Sequence, residues 1–250
     1  MEFTYNPGLV ALSIVAAFLG AFTGLVMMSG IGRVRGAERV LRIVLGGLGI
    51  GGGIWSMHFI AMLAVVLPLK LSYSIPETLV SAAIAIVFTT MALWIVAGQK
   101  LGGMSLPLSA LLLGAGIGAM HYLGMYGIRG CLLQYSWLSM VISLFIGANV
   151  SAAALWFAFR KRGVADTMIG SIALGLAIAL MHYTAVEATR FLPFGSAGQL
   201  ANVFNERLLA VAVAITLYSI CSVCLIAFAV LTFAKRRRPA RLSVLPRARA

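Results

Sequence analysis

His58, His121 and His182 are the three histidines of a 250-residue chain, and each follows a methionine and precedes an aromatic ring. The three triplets are Met57-His58-Phe59, Met120-His121-Tyr122 and Met181-His182-Tyr183. An imidazole offers a nitrogen ligand and a thioether a soft sulfur. On a helix, residues four apart share a face, so Met62 after His58 and Met125 after His121 can aim sulfur and nitrogen at one point. Met57, Met120 and Met181 sit about 100° away around the helix and face a neighbouring helix or the edge of a shared site. Imidazole combined with soft sulfur favours copper, Cu(I) especially. Zinc more usually brings cysteine or carboxylate, and calcium needs a cage of oxygens. The rings of Phe59, Tyr122 and Tyr183 can shield or tune such a site, and the two tyrosines add a phenol for hydrogen bonding. The third copy departs from the pattern, with Val186 in the place of a second methionine and Glu187 beside it.

These motifs must be carried by membrane helices. The chain is 62% hydrophobic and 10% charged, more apolar surface than a soluble domain of this length can bury. Runs free of Lys, Arg and Asp cover Leu9–Gly30, Ile43–Leu67, Leu79–Ala97, Leu106–Gly127, Trp137–Phe159, Thr167–Ala188 and Leu208–Ala234. Each is long enough to cross the hydrocarbon as a helix, which takes about 20 residues. Seven spans place the two chain ends on opposite sides of the membrane. One side then carries Arg33, Arg35, Arg39, Arg42, Lys100, Arg160, Lys161, Arg162 and the seven basic residues of the tail, 15 in all. The other carries Lys70, Arg129, Arg190 and Arg207, only 4. The positive-inside rule puts the N-terminus outside and the C-terminus in the cytoplasm.

The histidines are 63 and 61 residues apart, about one pair of spans each time. Aligning them also aligns Gly51, Gly114 and Gly175 seven positions earlier, and Gly46, Ser109 and Gly170 twelve earlier. The expected fold is all-α: three tandem two-helix repeats, about 9–67, 79–127 and 137–188, followed by a seventh helix over 208–234. Residues 1–234 form the membrane domain and 235–250 a basic cytoplasmic tail. Repeats of two helices keep their orientation, so the copies surround an axis along the membrane normal. The three histidines then lie at one depth, in the outer half of the second, fourth and sixth spans, where one pocket can gather them.

Several function classes drop out. The basic residues cluster beside spans, which suits anionic lipid headgroups rather than nucleic acid. No kinase, cyclase or nucleotide motif is present, and no enzyme activity is expected. The stretch GGLGIGGG lies inside a span and lacks the strand and Lys-Ser/Thr of a phosphate loop; its glycines suit close helix packing. The N-terminus is acidic rather than basic, so the first span is expected to be retained. Cys221 and Cys224 suit packing on the seventh span. Glu187 suits an ion pair with Arg190 or, as the sharper reading, a proton acceptor or hard ligand beside His182. Asn149 suits a hydrogen bond across helices.

Three Met-His-aromatic motifs at the outer ends of alternate spans, on a seven-span chain, resemble the MHYT domain of bacterial integral membrane proteins. The resemblance covers roughly Leu9 to Ala234. It implies a sensor in the inner membrane that binds copper through Met57, His58, Met62, Met120, His121, Met125, Met181 and His182 and responds to O2, CO or NO. Many relatives join this domain to cyclic-di-GMP enzymes or histidine kinases. Here a short basic tail follows the last span, so the expected output is a separate partner protein. Three alternatives remain open at this stage. A copper transporter needs ligand tiers from face to face, drawn from Met140, the histidines, Cys221 with Cys224, and Met27 or Met28. A redox subunit would hold haem or quinone among the same histidines. A metal-free scaffold would use them only to bond helices together.

Overall fold

The computed structural model describes residues 2–98, 104–160, 163–193 and 202–236. Lys100, Lys161, Arg162 and the basic tail beyond Arg236 lie outside the described residues. The seven helices are α1 (Pro7–Met28), α2 (Gly36–Ala64), α3 (Ile75–Gly98), α4 (Ser105–Tyr126), α5 (Trp137–Arg160), α6 (Val164–Glu187) and α7 (Glu206–Arg236). Each is long and apolar enough to cross a membrane. Local sequence sets their ends. The Asn6 side chain accepts hydrogen bonds from the backbone N–H groups of Gly8 and Leu9, with Pro7 in the first turn of α1. Gly30 takes φ +69° just beyond the end of α1, a conformation that side chains disfavour.

Short strands sit at one end of every hairpin, a feature that the all-helical expectation did not include. They are β1 (Thr4–Tyr5), β2 (Val65–Val66), β3 (Ser72–Ser74), β4 (Ile128–Arg129), β5 (Cys131–Tyr135), β6 (Thr189–Pro193) and β7 (Val203–Asn205). The strand entering each hairpin pairs antiparallel with the strand leaving it, β1 with β2, β3 with β4 and β5 with β6. One register recurs. Tyr5 faces Val65, Tyr73 faces Ile128 and Tyr135 faces Thr189, and each partner stands seven residues after its histidine. β7 adds to the free edge of β3, tying the start of α7 to the same end. Runs of two to five residues are too short to show a period-two pattern. They form because the chain leaves and enters neighbouring helices side by side, where unpaired backbone groups at an apolar boundary are costly.

The hairpins α1–α2, α3–α4 and α5–α6 pack in sequence, α2 on α3 and α4 on α5, and α6 returns to α1 to close a ring of six helices. α7 lies outside the ring against α2 and α1. The glycines aligned seven positions before the histidines explain how these seams close. A Cβ at Gly51 would stand 2.7 Å from the Ile86 Cα on α3, at Gly114 2.7 Å from the Ala148 Cα on α5, and at Gly175 3.1 Å from the Phe18 N on α1. Within the first hairpin the approach is closer still, since a Cβ at Gly20 would meet the Gly53 Cα at 2.3 Å. That neighbour is backbone and cannot rotate away. Gly20→Ala is therefore expected to destabilise the bundle by about 1–3 kcal/mol, the usual cost of overpacking, measured by thermal unfolding in detergent.

Three local expectations are corrected or refined here. Asn149 donates to the Phe145 carbonyl of its own helix at 2.8 Å rather than bonding across helices, because its side chain reaches back one turn. The ion pairs among the described residues are Arg42–Glu38 at 3.1 Å and Arg129–Glu77 at 2.8 Å, so Glu187 does not pair with Arg190. β6 begins two residues beyond Glu187 and draws Arg190 into the strand pair opposite Gln134. Cys224 is a packing residue, buried with Met27 and Leu45, and its thiol faces the Leu45 carbonyl at 3.4 Å.

Candidate functional site

α2, α4 and α6 each turn one histidine into the middle of the ring. His58 and His121 have no exposed surface and His182 has 1%. Their Nδ1 atoms form a near-equilateral triangle, 3.1 Å from His58 to His182, 3.1 Å from His121 to His182 and 3.2 Å from His121 to His58. The ring centroids are 5.0 Å apart in all three pairs, with interplanar angles of 81–84°. The three histidines thus converge, as their like placement in the repeats predicts.

Neutral imidazoles do not satisfy this triangle alone. Each carries one N–H and one lone pair. Three inward lone pairs repel, and three inward N–H groups collide. A mixed arrangement lets one N–H serve two lone pairs, or one lone pair accept two N–H groups, but two like nitrogens still face each other at 3.1–3.2 Å. The three Nε2 atoms are buried and have no hydrogen-bond partner in the structure. His58 Nε2 lies hard against α4, where a Cβ at Gly124 would stand 2.4 Å away. A cation among the Nδ1 atoms resolves the conflict, because each lone pair then has an acceptor. Nitrogens bound at about 2.0 Å to one tetrahedral ion stand about 3.3 Å apart, close to the observed spacing. These three are the group of histidine, cysteine or carboxylate side chains, among the described residues, that can share a metal ion.

The other expected site residues lie on the same three helices. Met57, Met62, Met120, Met125, Met181 and Val186 are all buried at 0–1% exposure. Met181 turns toward α5, the other helix of its own hairpin: a Cβ at Gly147 would lie 3.3 Å from its Cγ. Phe59, Tyr122 and Tyr183 stand edge-on to their own histidines, with centroids at 4.8, 4.9 and 5.1 Å. Both phenols are used, Tyr122 bonding Ser143 at 2.8 Å and Tyr183 bonding Ser13 at 2.9 Å. Glu187 is exposed and belongs to the strand end of the bundle, beside Tyr5.

A second ring of aromatics was not legible in advance. Tyr73 packs on Phe59 at 6.0 Å, Tyr135 on Tyr122 at 5.5 Å and Tyr5 on Tyr183 at 5.5 Å. Each histidine thus begins an aromatic stack that ends on the first strand of a hairpin. Burial raises the phenol pKa of all three strand tyrosines above the ordinary value of 10. For Tyr5 the Glu187 carboxylate adds to the effect, for Tyr73 Glu206, and for Tyr135 Tyr122. These phenols stay protonated through the physiological range. A signal for this ring did exist, since a serine follows each tyrosine by eight residues (Ser13, Ser81, Ser143), but tyrosines at membrane boundaries are common enough to pass unnoticed.

A multi-span helical bundle with three buried, mutually facing histidines defines the class: a membrane domain built around a histidine cluster. Comparison with known proteins adds the family. The family described as "Bacterial signalling protein N terminal repeat", MHYT, matches residues 51–107 and 114–171. The matched units begin on α2 and α4, so each takes in a histidine helix and the helix across its seam. The chain is 36% identical, over 97% of its length, to the bifunctional diguanylate cyclase/cyclic di-GMP phosphodiesterase MucR of Pseudomonas aeruginosa, covering 36% of that protein. It is 35% identical over 74% of its length to the cyclic di-GMP phosphodiesterase NbdA of the same organism, covering 24% of it. It is 28% identical over 75% of its length to the signalling protein YkoW of Bacillus subtilis, again covering 24%. The chain therefore spans about a third or less of these relatives. No solved structure matches it. The chain belongs to the MHYT family of membrane signalling domains.

Proposed function

We propose that this protein is a copper-binding membrane sensor, with one ion held by the Nδ1 atoms of His58, His121 and His182. The observation that carries the reading is the buried Nδ1 triangle of 3.1–3.2 Å, in which no set of neutral tautomers avoids facing two like nitrogens. The ligand charge supports copper in its monovalent state. Three neutral imidazoles offer no compensating anion, and the Born cost of an ion in a low-dielectric interior rises with the square of its charge. The buried thioethers of Met57, Met62, Met120, Met125 and Met181, carried on the same three helices, are soft donors of the kind that favours Cu(I). When bound, copper supplies a coordination position that a neutral diatomic such as O2, CO or NO can take. The protein's part is to exclude water, to hold three imidazoles at one depth, and to join them to three separate helices. A small change in the spacing of the imidazoles then moves α2, α4 and α6 relative to one another, and a partner protein reads that movement.

The chain is oriented in the bacterial inner membrane with its strand end and N-terminus outside and its basic segments in the cytoplasm, as three two-helix repeats about an axis along the membrane normal. It is not itself an enzyme; the cyclase and phosphodiesterase names belong to relatives with much additional chain. A transporter reading gains little, because Cys221 and Cys224 sit on α7, outside the ring, and do not continue a ladder from the triad.

Elemental analysis of purified protein, followed by spectra under CO, NO and air, tests the proposal. Wild type is expected to carry close to one copper per chain, and the His58→Ala/His121→Ala/His182→Ala variant only background. Equal trace copper in both would remove the sensor reading, and a Soret band in the wild type would replace it with haem.

A further inference from the structure

The ring closes through three seams between hairpins, α2/α3, α4/α5 and α6/α1, and each seam is crossed by a hydrogen bond from the histidine motif or the turn before it. At α4/α5, Tyr122 bonds Ser143; at α6/α1, Tyr183 bonds Ser13. Both serines are fully buried, and each also donates to the carbonyl three residues earlier on its own helix, Ser143 to Met140 at 2.9 Å and Ser13 to Val10 at 2.7 Å. Ser81 on α3 repeats this arrangement, buried and donating to the Thr78 carbonyl at 2.8 Å. The residue that corresponds to Tyr122 and Tyr183 in this copy is Phe59, however, which has no hydroxyl to offer.

The first seam makes up the loss in another way. Trp55, three residues before His58, donates from its indole Nε1 to the Thr78 carbonyl at 2.9 Å, the same oxygen that Ser81 uses. The corresponding positions in the other copies are Gly118 and Ala179, which carry no donor. At Gly118 the space is taken by Leu144 of α5, whose Cδ2 would lie 2.1 Å from an added Cβ. Tryptophan with phenylalanine in one copy, and a small residue with tyrosine in the other two, are thus alternative ways to span the same seam at the same level.

We propose that Ser13, Ser143 and Trp55 are positioning residues of the histidine triad, each fixing one seam so that the imidazole beside it faces the axis. In two seams the path is continuous. Ser143 holds the Tyr122 phenol and the Tyr122 ring stands edge-on to His121 at 4.9 Å; Ser13 holds Tyr183, which stands edge-on to His182 at 5.1 Å. In the first, Trp55 packs on Phe59 at 5.3 Å, and Phe59 stands edge-on to His58 at 4.8 Å. The metal part of this inference rests on the copper reading; the placement of the rings does not.

The test uses the full chain in detergent or nanodiscs, with two readouts. Cu(I) affinity is measured by competition with a chromophoric chelator, and imidazole placement by ¹⁵N NMR of histidine-labelled, metal-free protein. Ser143→Ala and Trp55→Phe are each expected to weaken Cu(I) binding by about tenfold, the lower end of what outer-shell partners contribute, and to move the imidazole resonances. Adding Phe59→Tyr to Trp55→Phe gives Ser81 a hydroxyl partner and is expected to restore both readouts toward wild type. The inference is overturned if Ser143→Ala leaves affinity and resonances unchanged, or if the double variant does no better than Trp55→Phe. A wild type that binds no copper while its resonances still follow the variants removes the copper reading and leaves the positioning role in place.

Discussion

His121→Ala lowers Cu(I) affinity by at least about a hundredfold, whereas Met125→Leu lowers it by about tenfold. This is the expected result of competition titrations on the two variants. Outer-shell partners of a metal are worth about 10–100-fold in affinity, so the loss of one nitrogen from a set of three lies at or beyond the upper end. Removing His121 also leaves His58 and His182 facing each other across 3.1 Å with a cavity beside them. Leucine at position 125 keeps the volume of methionine and removes only its sulfur, which isolates the thioether's share. Equal losses in the two variants would show that sulfur and nitrogen bind on the same footing. An unchanged affinity in His121→Ala would place the ion elsewhere.

Gly124→Val is expected to reduce copper retention as deeply as removing His58, with no ligand altered. A Cβ at this position would lie 2.4 Å from His58 Nε2 and 2.9 Å from its Cδ2, and valine adds two methyl groups to it. The imidazole is packed on its other side by His121, His182 and Phe59, so it cannot retreat while keeping Nδ1 on the axis. Overpacking of this kind costs about 1–3 kcal/mol, which a seven-helix bundle can absorb while a three-ligand centre cannot. Circular dichroism is expected to report wild-type helicity, and elemental analysis a copper content near background. Full copper in a folded Gly124→Val protein would show that His58 is dispensable.

Much of this architecture is local and therefore readable along the chain. The seven spans follow from uninterrupted apolar runs, and the histidine copies follow from triplets spaced 63 and 61 residues apart. Gly51, Gly114 and Gly175 were visible as a repeat, although the helices they press against were not. The identity of a residue and its distance along a helix are properties of one segment, and periodicity reports them faithfully.

The rest depends on which segments meet. Ser13 and Tyr183 are 170 residues apart, and no local pattern joins them until α6 closes the ring against α1. Trp55 stands in for the missing hydroxyl of Phe59 only because its indole reaches the α3 carbonyl that Ser81 also uses. Glu187, a neighbour of Arg190 by spacing alone, lies instead beside Tyr5 from the start of the chain, while Asn149 bonds its own helix rather than a neighbour. Residue types and their order along the chain were enough to say that three imidazoles lie at one level of a membrane bundle. That their Nδ1 atoms face each other, and that two tyrosine–serine bonds and one tryptophan–carbonyl bond cross the seams beside them, was decided by packing, because the direction of a buried side chain is set by neighbours from distant segments.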